Sequence, residues 1–152
     1  MFEFKDISRI ESAEIDLVLS ETREAVPEKE YLPCYVFDIC PHGTDVKAGI
    51  ISLRVGYNRN IHYGGNIGYG VFEEFRGHHY ASKACLLLED LARGHGHKHL
   101  IITCDPDNMA SRKTCEYLGA VLIEIIELPE WTEMYQMGKK VKCRYRWDIT
   151  GG

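Results

Sequence analysis

The chain has 152 residues, 45% of them apolar and 27% charged, with a net charge of −5, which fits one globular domain over 1–152 and excludes a disordered or fibrous chain. Its eighteen Lys and Arg are scattered among twenty-three Asp and Glu, with the densest run Lys139, Lys140, Lys142, Arg144 and Arg146, so no basic face invites a nucleic acid. No stretch approaches the ~20 apolar residues that cross a bilayer, the start carries Glu3, Lys5 and Asp6 where a secretory signal is apolar, and Cys34, Cys40, Cys85, Cys104, Cys115 and Cys143 sit in apolar patterns that suit reduced thiols in the cytoplasm.

Phe2 and Phe4 alternate with charged residues as in a short strand. Ser8 and Glu11 have capping-box spacing, and Ile15, Val18, Leu19 and Thr22 recur at helical spacing, which predicts a helix within 9–23 that Pro27 ends. Tyr35 to Ile39 and Val46 to Val55 read as two strands of a hairpin turning near Pro41 and Gly43. After a turn at Gly64, Gly65 and Asn66, a third alternating strand (Ile67, Tyr69, Val71) stops at Glu73 and Glu74. Ala81, Ala84, Cys85, Leu88, Leu91 and Ala92 share one helical face, closed by Arg93 and Gly94. Leu100 to Cys104 is a short apolar strand. Asn108 caps a helix that ends at Gly119, with Ala110, Cys115 and Leu118 inward. Val121 to Leu128 is a strand and Pro129 opens a polar loop. In the last strand Val141, Cys143, Tyr145, Trp147 and Ile149 alternate with Lys142, Arg144, Arg146 and Asp148, giving one buried and one wet face. The expected fold is α+β, a single domain with a mixed central sheet of about seven strands flanked by three to four helices.

The segment with the most chemistry is the strand, then Arg76-Gly77-His78-His79-Tyr80-Ala81, then the helix. A helix start presents unpaired backbone N–H groups and the positive end of its dipole, and small residues there let a phosphate approach the main chain. An Arg-Gly turn before a helix also serves plain capping in many folds.

From Ile67 to Ile149 the sequence resembles the GCN5-related N-acetyltransferases (GNAT). That family carries Gln or Arg, two residues, Gly, one residue, and Gly or Ala opening a long helix; Arg76 and Ala81 match its first and last positions. Asn108, Ser111 and Gly119 match a second signature, an Asn-opened helix that ends in Gly. The run from Leu100 to Ser111 is similar to a branch of bacterial acetyltransferases with poorly defined amine substrates. The resemblance implies a sheet with two splayed parallel strands and acetyl-CoA as co-substrate. The main-chain N–H groups of Gly77, His78, His79, Tyr80, Ala81 and Ser82 would hold the pyrophosphate. Tyr69, Gly70 and Val71 would bond to the pantetheine arm as an added strand does, with Asn108 and Ser111 near its other side. The implied activity is acetyl transfer to a primary amine of a small molecule or peptide by direct attack in a ternary complex.

The sequence departs from that pattern in three places. His79 stands where the family has its first Gly, and His is among the residues that accept a left-handed conformation more readily, so binding is expected to survive; its imidazole either meets a phosphate or faces solvent. Some branches use a Glu before the second signature and a Tyr in the following helix, where this chain has Thr103 and Cys115. Thr103 is no base near neutral pH, and Cys115 is either an acid aimed at the cofactor's sulfur or a buried helix residue. Glu73, Glu74 and Tyr117 are further candidates, and the base stays unassigned.

His95, His97 and His99 could face one way on a strand, as metal ligands would, but Gly94 and Gly96 mark a turn, and Cys34, Cys40 and His42 have no second half; a solvated loop or dimer surface is the expected reading, with no metal. A non-catalytic acyl-CoA-binding module, and an interaction domain that uses Trp131, Tyr135, Tyr145 and Trp147, are the competing functions, and a homodimer is open. The acceptor pocket is expected from residues around Ile10 to Pro33, Tyr57 to Gly65 and Pro129 to Lys140, and the acidic balance leans toward a cationic amine.

Overall fold

Runs of apolar residues at period two need a partner strand on each side, and a computed structural model describing residues 2–149 supplies it in one open sheet. Its strands are β1 (Arg9–Glu11), β2 (Ile15–Arg23), β3 (Cys34–Pro41), β4 (Gly49–Arg54), β5 (Ile67–Val71), β6 (His99–Cys104), β7 (Val121–Glu127) and β8 (Val141–Asp148), in the order β1-β2-β3-β4-β5-β6-β8-β7. Between them lie α1 (Arg59–Gly64), α2 (Tyr80–Leu87), α3 (Glu89–Gly94), α4 (Met109–Tyr117) and the single turn α5 (Glu133–Gln136). Every neighbouring pair is antiparallel except β5 and β6. The mixed α+β sheet is the one expected, with eight strands where about seven were counted.

One face of the sheet carries Ile15 and Leu17, Tyr35, Phe37 and Ile39, Ile51 and Leu53, Leu100 and Ile102, and Cys143, Tyr145 and Trp147; Ala84, Cys85, Leu88, Leu91, Ala92 and Cys115 cover it from α2, α3 and α4. Burying each large side chain stabilises the fold by roughly 1.5–3 kcal/mol. The helix expected over 81–94 is α2 and α3, which meet at Leu88 (φ −84°, ψ −10°) and keep one buried face. In α4 the inward residues are Ser111 and Cys115, whereas Ala110 is exposed.

The helix expected within 9–23 is the hairpin β1–β2. Ile15, Leu17 and Leu19 fit period two while Ile15, Val18, Leu19 and Thr22 fit the helical period, and Asp16 decides between them. Its side chain is fully buried and accepts from Ser12 N–H (3.2 Å), Gly43 N–H (2.9 Å) and Arg9 Nη2 (3.0 Å) while pairing with His42 Nδ1 (2.9 Å). Burial pushes this carboxyl up, but the bonds from Gly43, His42, Arg9 and Ser12 outweigh it and hold the carboxyl well below its ordinary value. A helix would place Asp16 away from those donors. Ser8 caps nothing; its carbonyl accepts from Leu19 N–H at 2.8 Å. Phe2 and Phe4 form no strand, and instead stack on His95 and meet Tyr35 edge-on.

β5 and β6 pair at one position only, Ile67 with Ile102. Below it Asn66, with no exposed surface, ties three segments together. Its N–H donates to Ile101 O (2.6 Å), its Oδ1 accepts from Ile101 N–H (2.9 Å), and its Nδ2 donates to Arg54 O (3.0 Å) and Gly56 O (2.9 Å). Gly65 (φ +80°) precedes it, where a Cβ would stand 3.0 Å from Ile101 O. Above this point the strands part.

The three histidines spaced two apart take separate partners. His95 Nε2 meets Tyr35 Oη (2.7 Å), and His99 stacks on Tyr57. His97, expected in a solvated turn, is buried: its Nε2 accepts from Gly56 N–H (2.9 Å) and its Nδ1 meets Tyr57 Oη (2.8 Å). Among the described residues no three His, Cys, Asp or Glu side chains converge as metal ligands would. The expectation that Arg144 is wet also fails. It is buried, its Nε donates to His62 O at 2.7 Å, and it is ion-paired with Glu124.

Replacing Asn66 by Ala leaves Ile101 N–H and the carbonyls of Arg54 and Gly56 without those partners, and should lower unfolding stability in urea by about 2–4 kcal/mol. Burial holds His97 below its ordinary value, and His62 and His95 likewise. The stability these groups contribute is complete above the unfolded value of about 6.5 and is lost as the unfolded chain takes up protons that the folded one refuses. The urea midpoint should therefore fall from about pH 7.5 to about pH 5.5, and His97→Gln should flatten that slope.

Candidate active site

The parting of β5 from β6 leaves main-chain groups without a ladder. Phe72 N–H donates to Ala48 O (2.8 Å) on the β4 side, and amides alternate in direction along a strand. Those of Gly68 and Gly70 therefore face β4, and those of Tyr69 and Val71 face the gap. Arg76 reaches back to it, its Nε donating to Val71 O at 3.0 Å. Gly70 contributes bare surface rather than bonds: a Cβ there would meet nothing within 4 Å.

On the helix side the gap has a floor. Tyr69 Oη and Ser111 Oγ lie 2.7 Å apart, linking β5 to α4. Asn108 sets α4 in place by accepting from Ser111 N–H at 3.1 Å. Behind the floor Cys115 is fully buried. Burial pushes its thiol up to about 12, and burial, reinforced by Cys115, holds the Tyr69 phenol far above its ordinary value. Both groups are therefore proton donors near neutral pH and cannot act as bases.

At the open end of the gap the chain runs through a one-turn 3₁₀ helix (Glu73–Phe75), Arg76, Gly77 (φ +93°) and His78 into α2. His79 is the N-cap, in a left-handed conformation (φ +59°, ψ +30°), and no side chain caps the helix. The N–H groups of Tyr80, Ala81 and Ser82 lie in the first turn, where a helix offers no internal acceptor. Ser82 Oγ is turned back to His79 O (3.0 Å), and the His79 ring stacks on Tyr117, centroids 4.9 Å apart. Gly77 has open space around it. Of the residues named from the sequence, Tyr69, Gly70 and Val71 lie on the strand side of the gap, Arg76 to Ser82 at its end and Asn108 and Ser111 on its helix side, whereas Cys115 is buried behind Ser111 and Tyr69 and does not line it.

On the sheet face away from α2 and α4 a groove of about 680 Å³ runs over β4 and β5 beside the gap, bordered by Ile50, Ser52, Gly68, Gly70, Glu73 and Arg76. A second hollow, a cleft of about 630 Å³, begins at Arg54, two residues along β4 from Ser52. Residues 23–34, α1 and 131–134 wall it, from the three segments that carried no motif. The connection 57–65, loop-like in sequence, folds as α1 because Asn58 accepts from Ile61 N–H (3.0 Å) and Gly65 ends it. In the cleft Arg59 lies over the Trp131 ring at 4.2 Å and pairs with Glu30, and Tyr63 meets Trp131 edge-on. No motif points to His62, whose carbonyl takes the Arg144 Nε. Burial and the Arg144 charge lower its imidazole's affinity for a proton. Arg144 is the ladder partner of Thr103, at the edge of the gap.

The fold is similar to that of solved acetyltransferases. A probable acetyltransferase (GNAT family) from Chromobacterium violaceum superposes with a TM-score of 0.68 at 12% identity, over 97% of this chain and 89% of its own. The ribosomal L7/L12 alpha-N-protein acetyltransferase RimL, in complex with coenzyme A, gives 0.66 at 17% identity, over 93% and 98%. The microcin C7 self-immunity acetyltransferase MccE, in complex with acetyl-CoA and AMP, gives 0.58 at 20% identity, over 76% of this chain and 61% of its own. No protein of curated function matches the sequence. The family model described as "Acetyltransferase (GNAT) domain" matches residues 8–121, well over half the chain, and the chain belongs to the GNAT acetyltransferases.

Proposed function

We propose that this protein is an acetyl-CoA-dependent N-acetyltransferase, acting in the cytoplasm on a primary amine by direct attack in a ternary complex. The observation that carries the proposal is the continuity of the gap: main-chain groups of Tyr69 and Val71 open into it, and it ends at the uncapped start of α2. Amides in a row suit the pantetheine arm, and an uncapped helix start beside Gly77 suits a pyrophosphate. Coenzyme A complexes of similar folds support the same cofactor.

Bound acetyl-CoA supplies an acyl carbon whose bond to sulfur breaks as the new bond to nitrogen forms. The acceptor reaches the gap from the face opposite α4, where the cleft adjoins the groove. Tyr69, with Cys115 behind it, donates the hydrogen bond that the departing thiolate needs. Thr103 cannot take the amine's proton. His62, whose main-chain carbonyl takes the Arg144 Nε and whose imidazole has a lowered proton affinity, is the residue we assign as the base.

Calorimetric titration with acetyl-CoA should show binding to the native chain and a loss of more than about tenfold for Ala81→Glu, which places a carboxylate at the pyrophosphate site. Absence of binding to the native chain would refute the acetyltransferase reading. With a reacting amine, His62→Gln should lower kcat by about 10²-fold or more and abolish the limb of the pH profile that rises from acid pH, with the acetyl-CoA affinity unchanged.

A further inference from the structure

The cleft beside the gap has a charge unlike that of the whole chain. Arg23, Cys34 and Arg54 are ladder partners in one row across β2, β3 and β4. Directly opposed residues share a face, and here it is the one away from the core, since Tyr35 and Leu53 point the other way. The two guanidinium groups therefore flank Cys34 on the cleft floor. Arg23 pairs with Glu21 at the rim. Arg54 makes one hydrogen bond, to Gly65 O at 3.3 Å, and among the described residues no carboxylate lies within salt-bridge distance of it. The carboxylates of Glu30 and Glu133 are turned to Arg59 and to the Tyr31 hydroxyl. Lys29 and Glu24 line the hollow as well, so Arg23, Lys29, Arg54 and Arg59 stand against Glu24, Glu30 and Glu133, and the cation at the closed end of the gap is Arg54, with Tyr63 and Trp131 as an aromatic wall.

From this we infer that the acceptor is a small amine that also carries a carboxylate, an α-amino acid or an equally short relative, with its carboxylate on Arg54. The inference rests on the acetyltransferase reading. Arg54 bonds to Gly65, the residue before the point where β5 and β6 diverge, so a carboxylate on its guanidinium leaves a nearby amine within reach of the gap, and the aromatic wall takes an apolar side chain. A hollow of about 630 Å³ suits such a molecule. A guanidinium beside the amine also disfavours its ammonium form, which helps to present the free amine. The reaction is acyl transfer: the amine nitrogen bonds to the acetyl carbon, the carbon–sulfur bond breaks, and the amine's proton leaves through His62. The acidic balance of the chain, which leans toward a purely cationic amine, is not the charge of this cleft.

The test compares phenylalanine with phenylalaninamide, which lacks the carboxylate, by calorimetric titration of the full chain, and follows acetyl-CoA binding and thiol release in parallel. Phenylalanine should bind about tenfold or more tightly than the amide. Arg54→Gln should bring the two within about twofold while leaving the acetyl-CoA affinity intact, and Arg54→Lys should keep part of the preference. Equal binding of the two ligands by the native chain, no binding of phenylalanine at millimolar concentration, or a preference that survives Arg54→Gln would overturn the inference. Failure to bind acetyl-CoA or to release thiol with any amine would instead refute the acetyltransferase reading, because the titrations report on the cleft by themselves.

Discussion

The arrangement depends on a pair of neighbouring strands that are joined at one point and nowhere else. A parallel pair held along its length has no place for a ligand; one never joined would expose two raw edges inside the sheet. Asn66 reconciles these demands. Its side chain accepts from Ile101 N–H on one side and takes up the carbonyls of Arg54 and Gly56 on the other, so the end of β4 and the middle of β6 are fastened where β5 begins, and β5 and β6 are free to diverge beyond it. Gly65 permits the close approach to Ile101 that this fastening requires. Tyr69 and Ser111 then close the helix side, and the main-chain N–H groups of Tyr69 and Val71 are left without a ladder along the line that leads to α2.

Much of the central region is legible in sequence because local and tertiary preferences agree there. Ile67, Tyr69 and Val71 alternate, Asn108 caps, the apolar face over 81–92 has the helical period, and each is found as read. The N-terminal hairpin was illegible for a physical reason: Ile15, Val18, Leu19 and Thr22 fit a helix while Ile15, Leu17 and Leu19 fit a strand, and the choice falls to Asp16 and to donors from Ser12 and Gly43, the latter far along the chain. Periodicity sees apolar residues, and here a buried carboxylate decides. Arg144 was misread for a related reason, since alternation predicts which side of a strand a residue takes, not whether α1 lies over that side.

The candidate site divides along the same line. Tyr69, Gly77 and Ala81 belong to contiguous segments whose backbone roles can be read from residue type. The cleft is assembled from 23–34, 57–65 and 131–134, segments remote in sequence, and its charge is a property of how their side chains pair: Glu30 pairs with Arg59 and Glu133 takes the Tyr31 hydroxyl, while Arg54 has no carboxylate partner among the described residues. Counting charges along the chain cannot show which of them are already spoken for.

His79 carries a consequence of a different kind. A glycine in a motif is shorthand for a pair of torsion angles, and His79 holds φ +59° and ψ +30° without being glycine, its ring laid on Tyr117. The backbone therefore satisfies a condition that the letters of the sequence violate. A signature written in amino-acid types treats such a chain as a defective copy, whereas one written in dihedral angles treats it as a complete member with an extra imidazole at the threshold of its groove. For a short loop whose proposed role falls to main-chain N–H groups, the second notation is the one in which departures acquire meaning.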